Sequence, residues 1–390
     1  MSNAVIVEAV RTPLGKHDGV LSHWHPVDLV SETMTALVDR TGLDPSLVDD
    51  VIMGCVMQVG EQGVNVARNA VLAAGWPEEV PGTTIDRQCG SAQQALHFAA
   101  QGIQAGAYDV VVASGVETMT RVPMGAAMVD GHYGYPFGPK VSARYADRGG
   151  LVSQGVSAEL IADEWDITRT EMDEFALRSQ ERAATAHAEG RFDVEIVPVA
   201  DAHGHLVTRD EGVRTTSMEE LARLAPVFRS PAEGGRVTAG NSSQISDGAA
   251  SVLVMSEEKA AELGLRARAR FVSFALAGAD PRLMLTANIP ATEKVLARAG
   301  LTLDDIDLLE ANEAFATAVL AWQFETGAPD EKVNVNGGAI ALGHPLGASG
   351  TRLTTTLLHE LERREARYGL QVMCEGGGMG NAMILERLGV

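Results

Sequence analysis

The chain is short of three things. Only three of its 390 residues are cysteine, an odd and small number that excludes a disulfide framework and suits a reducing compartment. Cations are scarce: 31 Lys and Arg against 52 Asp and Glu give a formal charge of −21. That balance argues against a nucleic-acid or anionic-membrane partner, either of which needs a basic face. No uncharged apolar run approaches the roughly 20 residues of a membrane helix. The segment Met1 to Thr12 has no basic leader ahead of an apolar stretch, so no signal peptide is expected, and Arg387 to Val390 carries no recognisable address. These absences point to a cytoplasmic protein.

What remains is 45% hydrophobic and 21% charged, enough apolar material for a large core and two or three lobes. Short β-branched runs recur at Ala4–Val7, Asp50–Met53, Asp109–Ala113, Ser251–Met255, Arg270–Ala275, Ile306–Glu310 and Gln371–Cys374. Between them lie segments of helical spacing, Val27–Thr41, Ser91–Ala105, Ile289–Ala299 and Leu353–Arg364. Apolar strands alternating with helices indicate α/β layers whose strands are buried on both faces. From Met119 to Gly240 charges, prolines and glycines are denser and strand-like runs fewer, so this third reads as an inserted, mostly helical lobe. Within it Ile167–Gly190 reads as a helical hairpin opened by Thr168 and Glu171 in capping-box spacing. A weak internal echo suggests duplication: Cys89 and Ser349 each open a helix leading after 25 residues to a strand end, at Ser114 and Cys374.

The reactive candidates sit where glycine is dense. The stretch Asn334 to Gly350 surrounds one imidazole with glycines and places Pro345 directly after it. Proline restricts the residue before it, so the His344 main chain is held extended or in a turn. Cys89 follows Asp86-Arg87-Gln88 and precedes a good helix-forming stretch. A sulfur at a helix N-terminus is expected to have a lowered pKa and to act as a nucleophile. His344 is the natural base for it. Cys374 heads Cys374-Glu375-Gly376-Gly377-Gly378-Met379-Gly380 after a strand, where a thiol can exchange a proton and glycine amides can hold an oxyanion. Asn312 and Glu313 follow the strand Ile306–Glu310, a usual place for ligand-handling groups. Cys55, at a strand end, reads as a small buried hydrophobe. His23 and His25 lack the partner cluster a metal needs.

Together these segments resemble the thiolase family. The cysteine at a helix start, Asn312-Glu313-Ala314-Phe315, Gly343-His344-Pro345 and the Cys374 glycine loop stand in family order. The stretches Ser114 to Arg121 and Ala239 to Ala250 also match, so the resemblance runs from end to end. It implies two similar βαβαβαββ halves in five αβαβα layers with an inserted loop domain. The halves are residues 1–118 with 241–267, and 268–390; the loop domain is 119–240. The resemblance further implies that Cys89 carries the acyl group as a thioester, His344 takes its proton, and Cys374 exchanges a proton with the attacking carbon. Asn312 and His344 would hold one oxyanion, and the amides of Cys89 and Gly376 the other. Ser243 would contact the pantetheine arm of coenzyme A, and Arg214 would lie toward the nucleotide. The partners are acyl-CoA and coenzyme A, the latter a substrate rather than a cofactor, with no metal and a homodimer or homotetramer as the assembly.

One departure bears on substrate. Family members making acetoacetyl-CoA carry a His-Met pair in the acyl pocket, whereas this chain has Ser153 and Gln154 there. The expectation is therefore a degradative 3-ketoacyl-CoA thiolase, with a biosynthetic acetoacetyl-CoA enzyme as the alternative. A 3-ketoacyl synthase would rely on a pair of histidines and lack Cys374. A non-catalytic acyl-CoA-binding relative would have no use for Cys89, His344, Cys374 and Asn312 together.

Overall fold

The computed structural model describes residues 3–389; Met1, Ser2 and Val390, at the ends of the leader and tail readings, lie outside them. The first half runs β1 (Ala4–Arg11), β2 (Gly15–Lys16), α1 (Pro26–Thr41), β3 (Asp50–Gly54), α2 (Val66–Ala73), β4 (Gly82–Ile85), α3 (Ser91–Gln104) and β5 (Val110–Thr118). Then come α4 (Pro139–Tyr145), α5 (Gln154–Glu164), α6 (Arg169–Ala188), the ribbon β6 (Val199–Ala200) and β7 (Leu206–Val207), and α7 (Met218–Ala222). The chain returns through β8 (Ser246–Ser256) and α8 (Glu257–Glu262). The second half comprises β9 (Ala269–Gly278), α9 (Asn288–Ala299), β10 (Leu308–Ala311), α10 (Ala316–Thr326), α11 (Ala339–Leu342), α12 (Ser349–Arg363), β11 (Tyr368–Glu375) and β12 (Met379–Arg387).

Strand pairing shows the duplication directly. In the first half β3 lies parallel between β4 and β5, and β5, β8 and β1 follow antiparallel. In the second, β10 lies parallel beside β11, and β11, β12 and β9 follow antiparallel. The counterpart of β4 has shrunk to one parallel bridge, Leu309 to Val333. Two pairs between β1 and β9 join the sheets edge to edge. The central strands β5 and β8 are buried along their whole length, which is why Val110–Ala113 and Ser251–Met255 read as continuous apolar runs rather than alternating ones.

Helices α1 and α2 cover the outer face of the first sheet, and α9 packs on the outer face of the second with α10 beside it. Between the sheets lie α3 and α12, in contact with each other. That is the five-layer order the resemblance implies. Helix α12 is buried from Ser349 to Leu361 despite four threonines. The hydroxyls of Thr354 and Thr355 donate to the carbonyls four residues back, at 2.9 and 2.8 Å, so they enter the core satisfied. Helices α5 and α6 pack against α10 and α11, placing the inserted segment over the second half. Ile167–Gly190 is not a hairpin. Apart from its ends it is the single helix α6, closed at the front by the Thr168–Glu171 capping box, because nothing between Arg169 and Ala188 breaks helical geometry.

The two middle helices meet at glycine. A Cβ on Gly350 would stand 2.1 Å from the Gln93 amide nitrogen of α3, and one on Gly54 would stand 2.4 Å from the Ala92 nitrogen. Gly350→Ala therefore forces backbone apart and should cost at least about 1–3 kcal/mol of stability, the range for overpacking. Urea unfolding checks this; an unchanged midpoint would show the helices free to separate.

Candidate active site

Cys89 sits in a tight turn between β4 and α3. Gln88 ahead of it takes φ 48°, an uncommon conformation for a residue with a side chain. The turn is fastened by Gln88 N–H to Asp86 Oδ1 at 2.6 Å, Ser91 hydroxyl to Gln88 O at 2.6 Å and Arg87 N–H to Ser91 Oγ at 2.9 Å. The cysteine lies just ahead of the cap residue Gly90, as the helix-start reading required. Its own amide, the amide of Gly376 and the Gln154 side chain lie near enough to the sulfur to favour its ionised form. The lowered pKa expected from the helix end is not found. Burial outweighs those donors, nearby Glu375 adds to the effect, and the thiol is pushed up to about 12.

Cys374, next to last in β11, is also buried, and its pKa is raised first by burial and then by Cys89. Cys89 thus lies close enough to act on the Cys374 thiol. The Ala314 amide lies near enough to favour the ionised Cys374 sulfur, and Ala314 follows directly on the Asn312-Glu313 pair. The turn Gly376–Gly378 carries φ of 81° at Gly377 and 79° at Gly378, which explains glycine there and presents the Gly376 amide to Cys89.

His344 follows Gly343, whose φ of 120° and a would-be Cβ 2.4 Å from Ser246 Oγ admit only glycine. The His344 amide donates to Ser246 Oγ at 3.2 Å. Its Nδ1 lies 2.6 Å from Ser349 Oγ, while the Ser349 hydroxyl donates to Pro345 O at 2.8 Å. With that hydrogen committed, Ser349 can only accept from the ring, so Nδ1 carries the proton and Nε2 is the free base. Asn312 Nδ2 is 3.3 Å from Nε2, and Asn312 Oδ1 is buried without a partner among the described residues. Burial, with Arg352 second, pushes the imidazole down to about 3. Leu346, two residues on, packs in one apolar cluster with Cys89, Met119 and Met373.

These placements unite Cys89 with Cys374 and Gly376, and His344 with Asn312. In the resting state both thiols and the imidazole are neutral. Outright proton transfer from Cys89 to His344 is strongly uphill here.

Ser243 is half-buried, its amide donating to Ala314 O at 3.0 Å. Arg214 is exposed and forms no ion pair among the described residues. Cys55 is fully buried in the first half's core. His25 caps α1 through Nδ1, and His23 packs against Trp24; no group suited to a metal occurs among the described residues. Sequence reasoning missed Ser349, whose position five residues after His344 gave no signal, and Glu117. The Glu117 carboxylate accepts from the amides of Val56, Met57 and Gly347 and from Gln62 Nε2, at 2.6–3.1 Å, clamping the Cys55 and His344 loops together.

Comparison with known proteins adds the relatives. A family model for the thiolase N-terminal domain matches residues 4–258, and one for the thiolase C-terminal domain matches 265–387. The chain is 50% identical over 391 residues to steroid 3-ketoacyl-CoA thiolase FadA6 of Mycobacterium tuberculosis, covering 100% of this chain and 95% of that protein. It is 48% identical over 398 residues to 3-ketoacyl-CoA thiolase of Pseudoalteromonas translucida, covering 100% of each. The crystal structure of the Bacillus anthracis acetyl-CoA acetyltransferase superposes with a TM-score of 0.88 at 40% identity, covering 100% of this chain and 99% of that one.

If Ser349 sets the imidazole tautomer, Ser349→Ala should lower kcat/KM about 10²-fold, within the range assigned to general-base catalysis. KM should move little. A rate within twofold of the parent enzyme would remove Ser349 from that role.

Proposed function

The chain belongs to the thiolase family and is an acyltransferase that cleaves 3-ketoacyl-CoA, and from that premise we propose how its residues divide the work. The Cys89 sulfur attacks the keto carbon while His344 Nε2 takes its proton. The oxyanion forms beside the amides of Cys89 and Gly376, and what supports this reading is that both amides lie near the Cys89 sulfur and favour its ionised form. Each such donor is worth about 10²–10³ in rate. The carbon–carbon bond then breaks. Cys374 supplies the proton to the departing acetyl-CoA carbanion, whose oxygen is held by His344 and Asn312. Coenzyme A finally displaces the acyl group from Cys89, one thioester replacing another.

Two sulfurs are required because a single one cannot be acylated and donate a proton at the same moment. Coenzyme A enters as substrate, its pantetheine arm lying along Ser243, and the chemistry requires no metal. The acyl group is longer or bulkier than acetyl: Gln154, at the position of the acetoacetyl enzymes' methionine, reaches the Cys89 sulfur, and one relative is named for steroid substrates. The enzyme acts in the cytoplasm as a homodimer or homotetramer; no described helix is long and apolar enough to cross a membrane.

Cys89→Ala should abolish the acyl adduct seen by mass spectrometry after mixing with acyl-CoA. An adduct persisting on another residue would refute the assignment. Cys374→Ala should keep the Cys89 adduct yet lose carbon–carbon cleavage by about 10²-fold or more, and normal turnover would take Cys374 out of the mechanism. Exhaustive chelation should leave the rate unchanged. A series of 3-ketoacyl-CoA substrates from acetoacetyl to ring-bearing should rise in kcat/KM beyond the shortest member; a maximum at acetoacetyl-CoA would favour the biosynthetic reading.

A further inference from the structure

Beside the nucleophile lies a set of buried polar atoms that the acyl-transfer steps leave idle. Glu375 is the last residue of β11, on the opposite strand face from Cys374. Its carboxyl is packed against the cap residue of α3. A Cβ on Gly90 would stand 2.0 Å from Glu375 Oε1 and 2.8 Å from Asn381 Nδ2. Asn381, on β12, uses that Nδ2 to donate to Gly90 O at 3.0 Å. Neither Glu375 oxygen has a hydrogen-bond partner among the described residues, and neither does Asn381 Oδ1 or Gln94 Oε1. Gln94 stands one helical turn beyond Gly90 on the same side of α3.

No donor bonds either Glu375 oxygen: Arg87 Nε is itself buried without a partner among the described residues, yet it forms no ion pair with Glu375, and an ionised carboxylate would face a sulfur that must itself become negative. Burying a charge so unsupported is strongly unfavourable. The neutral acid removes the conflict, because its O–H is a donor where Asn381 Oδ1 and Gln94 Oε1 are acceptors without a partner. The charged and titratable groups around it are few. The turn before α3 contributes Arg87, Asp86 and Cys89, and β11 itself contributes Cys374. Arg87 favours ionisation and Asp86 opposes it, but Arg87 makes no ion pair with Glu375. His97, further along α3, is neutral, pushed down to about 3 by burial and then by Arg87. From β12 only the uncharged Asn381 and Met379 approach.

We propose that Glu375 is a positioning residue that must keep its proton for Cys89 to be acylated, so that its ionisation sets the alkaline limit of the first half-reaction. The proposal rests on the reading of Cys89 as the acylated residue. Burial pushes the Glu375 carboxyl up to about 8. Below that pH the acid is neutral and the sulfur feels no added negative charge. Above it the proton passes to solvent, and the resulting carboxylate raises the Cys89 thiol further and opposes the oxyanion. Neither Cys89, near 12, nor His344, near 3, titrates in that window.

The test follows Cys89 acylation by acetyl-CoA, which carries neither a free thiol nor an acidic 3-keto carbon, using rapid quench and mass spectrometry from about pH 6 to about pH 9.5. In the parent enzyme the rate should fall about tenfold per pH unit above about 8. E375Q keeps the shape and the neutrality, so it should fold, still form the Cys89 adduct, and show no such fall. E310Q, which changes the other buried carboxyl pushed to about 8, should keep the fall. The proposal is overturned if E375Q retains the alkaline fall, if E310Q is the variant that loses it, or if the neutral isostere does not fold. A parent enzyme with no Cys89 adduct at any pH would instead remove the underlying assignment of the nucleophile, and this proposal with it.

Discussion

Everything reactive in this protein depends on how closely two halves of the chain can approach. The loop after β3, the end of β5 and the start of α12 meet where Gly54, Gly115 and Gly347 leave no room for side chains: would-be Cβ atoms stand 2.3–2.8 Å from backbone or carboxylate atoms across the junction. Glu117 fastens the same place with four donors, one of them the Gly347 amide. Because backbone packs on backbone, the distance from the α3 end bearing Cys89 to the loop bearing His344 is not set by pliable side chains. A close-packed junction of this kind has little freedom to relax, which is what a site built from remote segments needs.

The second consequence is dryness. Cys89, Cys374, His344 and Asn312 are each at most 3% exposed. Burial drives both thiols upward and the imidazole downward, so the resting enzyme holds three neutral groups. On the proposed mechanism, reactivity then comes from donors already in place rather than from a standing thiolate. Amides aimed at the sulfur need no reorganisation as charge develops, and in a medium of low polarity each is worth more than in water. The Ser349 hydroxyl, locked to Pro345 O, belongs to the same design, holding the imidazole with its basic nitrogen free.

Much of this was legible in the sequence, and the gaps have physical causes. Strands such as β5 and β8 announced themselves because burial on both faces demands unbroken apolar runs. Strands β4 and β12 did not: Gly82–Ile85 is a short edge, and Met379–Arg387 begins inside the glycine turn. The lone bridge at Val333 could not be seen at all. Glycine density led to His344 and Cys374 because tight backbone has a compositional mark. The pKa of Cys89 was misjudged because a helix end is a local feature, whereas the burial that overrides it arises only when the sheets close over the turn. Ser349, Glu117 and Glu375 were silent for the same reason, being ordinary polar residues until tertiary packing isolates them.

The central claim is that two main-chain amides, those of Cys89 and Gly376, converge on the point where acyl chemistry occurs. The most direct measurement is a crystal structure of the enzyme frozen with its acyl group on. The account requires the thioester carbonyl oxygen to lie within about 3 Å of both nitrogens. A carbonyl turned toward solvent or toward side chains alone, with those amides engaged elsewhere, would contradict it.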